Sequence, residues 1–63
     1  MKKGQFYKSR SSELLILVTG VNEDIPYLFT GAVVIGYRNY LPGEHKAGWL
    51  ADQFEQVNVK IEI

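Results

Sequence analysis

The chain has 63 residues, no cysteine, seven basic against seven acidic side chains and 46% hydrophobic content. That length holds one small domain over residues 1–63, and an apolar fraction this high with a net charge of zero excludes a disordered tail. Without cysteine there is neither a disulfide framework nor a thiolate metal site.

So short a chain buries only about 60% of the surface its unfolded form exposes. Its stability should be roughly 3–9 kcal/mol, from about 0.05–0.15 kcal/mol per residue. Three Phe, four Tyr and one Trp compensate in part, because each ring buries a large area. A partner subunit is the other route by which a small fold gains stability.

In chain order, Met1-Lys2-Lys3 invites a signal-peptide reading, and the apolar run Leu14-Leu15-Ile16-Leu17-Val18 behind Glu13 does not sustain it. The run is shorter than the about 7–15 residues of a signal core and the about 20 that span a bilayer. No membrane partner is expected, and the expected location is cytoplasmic. Gln5-Phe6-Tyr7 offers a first strand before the polar turn Ser9-Arg10-Ser11-Ser12. Residues 13–19 then read as a strand buried on both faces, by their length and β-branched content.

Residues 20–26, Gly-Val-Asn-Glu-Asp-Ile-Pro, carry dense turn chemistry. Residues 28–37 read as a longer strand, with Phe29, Val33, Ile35 and Tyr37 on one face and Leu28, Ala32 and Val34 on the other. Gly31 and Gly36 interrupt it where a bulge or sharp bend would need a residue without Cβ, which suggests a strand that curls as at a barrel corner. Residues 38–48, with Leu41-Pro42-Gly43, read as a long loop, and Trp49-Leu50 as a short strand. Residues 51–55 suffice for one helical or 3₁₀ turn. Val57, Val59, Ile61 and Ile63 alternate with Asn58, Lys60 and Glu62, the pattern of a last strand with one dry face.

About five short strands and one turn make an all-β fold, and the expectation is a small five-stranded SH3-like barrel with a short 3₁₀ or helical turn before the last strand. Closure also removes the exposed edges of a flat sheet. A partly open barrel of the oligonucleotide-binding type is the alternative, although such barrels usually need a longer chain.

Several segments taken together, Gly4…Tyr7, Ile16-Leu17-Val18-Thr19-Gly20, Phe29-Thr30-Gly31-Ala32-Val33-Val34-Ile35, Pro42-Gly43-Glu44, Trp49 and Phe54-Glu55-Gln56-Val57, run over nearly the whole chain. In that order they resemble a class of very small, uncharacterised bacterial and prophage-type proteins with an SH3-like barrel. The resemblance implies the fold, and the residues that carry it belong to strands and turns and imply no activity.

Catalysis needs a group poised to move a proton or attack an electrophile, beside a partner that tunes it. His45, the one histidine, lies among turn residues next to Lys46 and reads as a solvated loop histidine. Ser9, Ser11 and Ser12 lack a nucleophile elbow, and nothing brings Glu23 or Asp24 to Asp52 or Glu55. Asn22-Glu23-Asp24 lacks the alternation of a calcium loop, and no glycine motif cradles a phosphate. The expectation is a protein that is not an enzyme, with no metal and no cofactor.

Charge is distributed unevenly. Lys2, Lys3, Lys8 and Arg10 give the first ten residues +4 with no acid among them, so the neutral total leaves −4 for the rest. With Phe6 and Tyr7 between them, these cations form a candidate nucleic-acid-binding segment, and Tyr37-Arg38-Asn39-Tyr40 repeats the mixture. A balanced total charge makes nucleic acid the less favoured partner. Tyr37, Arg38, Tyr40 and Trp49 flank Leu41-Pro42-Gly43 and are candidates to line a groove for an extended peptide, unless Trp49 plugs the core and Tyr40 clamps the loop. The last strand ends without a protective proline, so a second copy of the chain is a further candidate partner. The reading favoured on sequence is a non-catalytic binding or accessory module acting through protein contacts.

Overall fold

The computed structural model describes residues 1–59. It is all-β: β1 (Phe6–Ser9), β2 (Leu15–Val21), β3 (Leu28–Ile35), β4 (His45–Leu50), a 3₁₀ turn η1 (Ala51–Gln53) and β5 (Phe54–Val57). The strands form one antiparallel sheet in the order β4-β3-β2-β1-β5. Among the described residues no ladder joins β4 to β5, so the sheet is not closed into a barrel. Nor, among the described residues, is any helix long and apolar enough to cross a membrane.

Burial follows the apolar runs. Leu14, Ile16 and Val18 from the second strand region, Phe29 and Val33 from β3, Trp49 from β4 and Phe54 from β5 make the core. Its aromatic rings form a chain: Tyr7 to Phe29 at 6.1 Å, Phe29 edge-on to Phe54 at 5.5 Å, Phe54 edge-on to Trp49 at 5.9 Å, and Trp49 to Tyr40 at 5.2 Å. Edge and tilted contacts of this kind add about 0.5–1.5 kcal/mol each beyond area burial, a large share for so small a domain. Because Trp49 and Phe54 sit on the two outermost strands, the sheet curls until both edges reach one core.

Three irregularities produce the curl. The β2–β3 ladder shifts register between Leu15 and Ile16 and again between Val18 and Gly20, and the β3–β4 ladder shifts between Phe29 and Gly31. Gly31 serves close packing: a Cβ there would overlap the Ile16 side chain and lie 2.8 Å from the Leu17 carbonyl oxygen. Gly36, expected inside the third strand, lies beyond its end at Ile35. The apolar residues of β3 are not buried throughout: Val33 is in the core, whereas Ile35 is 52% exposed and Val34 41%.

Three further sequence expectations change. The expected loop over residues 38–48 contains most of β4, which starts at His45 and not at Trp49. Phe54 and Glu55 belong to β5 and not to the 3₁₀ turn, because Phe54 is buried opposite Ser9 of β1. The last strand pairs Val57 with Phe6, the first residue of β1, and Asn58 and Val59 find no β1 residue opposite. The rest of the expected alternation, residues 60–63, lies outside the described residues.

The turns are fastened locally. Asn22 Oδ1 accepts from the backbone amides of Asp24 and Ile25, both at 2.9 Å, so its side-chain oxygen is spent on the turn. Between β1 and β2, Ser9 Oγ accepts from the Ser11 amide at 3.3 Å, and Ser12 Oγ from the Leu14 amide at 3.3 Å.

Candidate functional site

The loop after β3 folds back as a tight turn. Tyr37 and Tyr40 exchange two backbone hydrogen bonds of 3.0 Å across Arg38 and Asn39. Arg38 takes the left-handed conformation at φ 53°, unusual for a side chain of this size. Its guanidinium lies over the Tyr37 ring, 5.2 Å from the centroid. Both residues are exposed on the turn.

Tyr40 points the other way. It is half-buried against the core, and its ring stands 5.2 Å from that of Trp49. Trp49 is buried at 5% exposure, and its Nε1 donates to the Gly31 carbonyl oxygen at 3.2 Å. Lys46 Nζ lies 5.1 Å from the Tyr40 centroid and 4.9 Å from the Trp49 centroid, so one cation covers two ring faces.

Strand alternation would place Lys46 and Trp49, three residues apart, on opposite faces. They share a face because β4 has one residue too many: Phe29 pairs with Trp49 and Gly31 with Lys46, two steps on β3 against three on β4. Gly48 absorbs the extra residue at φ 87°, a conformation open to glycine at little cost.

A shallow cleft of about 230 Å³ opens here. Lys46, Gly48, Trp49 and Leu50 of β4 line one side, Gln53 and Phe54 from η1 and β5 another, with Ser9, Leu14 and Tyr40 completing it. The cleft therefore lies where the two outer strands fail to meet. Among the described residues Lys46 is its single charged lining residue, and no carboxylate is in the lining.

Of the four sequence candidates for a peptide groove, Tyr40 and Trp49 come together in this cleft, while Tyr37 and Arg38 form a separate pair on the turn outside it. Lys46, Gln53 and Phe54 were not foreseen as lining residues. The contribution of Lys46 depends on the β4 bulge, and only the Gly48 beside it hints at that in the sequence.

The basic segment is divided. Lys2, Lys3 and Arg10 are exposed, whereas Lys8 is half-buried and donates from Nζ to the Ser9 carbonyl at 3.3 Å and the Ser12 carbonyl at 3.1 Å. Tyr7, one of the two rings between these cations, packs against the core. His45 is a β4 residue and not a loop residue: its Nε2 meets Thr19 Oγ1 of β2 at 2.6 Å, bridging over β3.

No protein-family model, curated protein or solved structure matches the chain.

The chemistry of the cleft is then the guide to what it takes. Two aromatic faces and Leu14, Leu50 and Phe54 offer apolar contact, Gln53 an amide, and Lys46 a positive charge. That combination suits a ligand with apolar and anionic parts.

Proposed function

We propose that the protein is a non-catalytic binding module that holds an extended segment of a partner protein in the cleft beside Tyr40, Lys46 and Trp49. The observation that carries this reading is the convergence of two ring faces and one cation in a cleft bounded by both outer strands. Tyrosine and tryptophan at a concave site are among the residue types that dominate binding energy at protein interfaces.

The fold we propose is SH3-like, of the kind found in the small bacterial and prophage-type class. Supporting it are the strand order β4-β3-β2-β1-β5, the 3₁₀ turn before the last strand and a single core shared by both outer strands.

The test is a selection of random eight-residue peptides displayed on phage against the immobilised protein, followed by titration of the ¹⁵N-labelled chain with the synthetic peptides recovered. The expected peptides shift the Trp49 indole and the Lys46 and Gly48 amide resonances. Lys46→Ala should weaken them at least fivefold with little change in Tm, because Lys46 is exposed. Tyr40→Ala is the poorer variant: Tyr40 packs on the core, so its loss should lower the Tm by several degrees. No enrichment over an unrelated control protein would end the reading.

A further inference from the structure

We infer that the bound segment adds as a strand along β4, in the gap between β4 and β5, with an acidic side chain against Lys46; this inference rests on the peptide-binding reading above.

The first ground is the edge itself. β4 has six residues and pairs with β3 on one side, and among the described residues no strand pairs with its other side. The cleft lies along that side and reaches η1 and β5, so a segment lying in it runs beside an unpaired row of backbone donors and acceptors. Gly48, in the middle of this edge, carries no side chain, and the position where a Cβ would stand has no neighbour within 4 Å. Main-chain pairing of this kind supplies affinity, while pockets for alternate side chains supply selectivity. Leu14, Trp49 and Phe54 furnish an apolar pocket.

The second ground is charge. A lysine and a bulge are two devices by which edge strands resist unselective pairing, and β4 has both in Lys46 and the Gly48 irregularity. Among the described residues Lys46 is the single charge in the lining and faces no carboxylate there, so a basic segment meets repulsion and an acidic one gains an ion pair over two aromatic faces. The edge thus selects the charge of what pairs with it. An acidic peptide strand of a partner protein is the occupant that satisfies both the backbone and Lys46.

The recovered peptides are synthesised in four further forms: the central acidic residue changed to its amide, the same residue changed to Lys, and alternate backbone amides N-methylated along one edge or along the other. Each is titrated into the full chain by NMR with amide hydrogen exchange. Expected are a tenfold or greater loss of affinity with Lys, loss of binding on methylation of one edge but not the other, and slowed exchange of β4 amides. Lys46→Gln should abolish the preference for the acidic residue over its amide. Peptides that shift Trp49 yet tolerate methylation of both edges, or show no acidic preference, overturn strand addition and leave the cleft reading standing. If no peptide is recovered, both fall. A dimer in sedimentation that protects β4 without peptide overturns the inference in favour of a second copy.

Discussion

The Trp49 indole reaches across from β4 to donate to the Gly31 carbonyl oxygen on β3 at 3.2 Å. Two residues of adjacent strands thereby fix the ring that forms both the end of the core and the wall of the cleft. Replacing Trp49 by Phe removes the donor to a buried carbonyl, which costs about 1–3 kcal/mol. Against a total of roughly 3–9 kcal/mol this is severe. The expected result is a Tm lower by at least about 4 °C, at about 4–8 °C per kcal/mol, with an unchanged denaturant m-value. An unchanged Tm would mean that the hydrogen bond contributes nothing to the fold.

Gly31 and Gly20 make a matched pair of tests. A Cβ on Gly31 would meet Ile16 and the Leu17 carbonyl, whereas one on Gly20 would make an ordinary 3.7 Å contact with Thr30. Gly31→Ala should therefore destabilise by about 1–3 kcal/mol through overpacking, and Gly31→Val by more. Gly20→Ala should leave the Tm within a few degrees. Urea denaturation of the three variants decides it, and equal midpoints for both alanine variants would refute the close approach at Gly31.

What was legible in the sequence follows from how each residue is held. The β2 and β3 strands are visible as apolar runs because the core takes its side chains from them, and the 3₁₀ turn is visible because few residues separate Trp49 from the final strand. The greater part of β4 is not visible. Of its six residues only Trp49 is buried, and the strand is defined by main-chain pairing with β3, to which side-chain periodicity is blind. Lys46 is hidden for a related reason: the Gly48 bulge moves it to the Trp49 face, against the alternation a reader would apply. Tyr40 and Trp49 could be named as candidates because aromatic side chains within and next to a long loop stand out in the sequence. That one joins the core and also lines the cleft depends on ring distances, which composition does not contain.

The four basic residues near the N-terminus should behave unequally. Lys8 fastens the β1–β2 turn through two carbonyls, so Lys8→Ala should cost about 1 kcal/mol after allowance for solvent. Lys3→Ala, at an exposed site, should leave the Tm unchanged. The paired measurement is a mobility shift with single-stranded oligonucleotides at low salt, where no complex is expected. A salt-sensitive complex that Lys3→Glu and Arg10→Glu abolish without unfolding the chain would instead establish the basic segment as a nucleic-acid surface.

Arg38 is held at φ 53° between two tyrosines whose backbones bond across it, and a non-glycine residue in that region costs about 1–2 kcal/mol. Glycine relieves the strain but adds freedom to the unfolded chain, offsetting part of the gain. Arg38→Gly should therefore raise stability by about 0.5 kcal/mol, a net of these two effects. Arg38→Ala keeps the strain and loses the guanidinium over the Tyr37 ring, so it should be the least stable of the three. The expected Tm order is glycine, then arginine, then alanine. Since Tyr37 and Arg38 stand outside the cleft, neither change should alter peptide affinity more than twofold. A large loss of binding in both variants, with the stability order intact, would move the binding surface from the cleft to the turn.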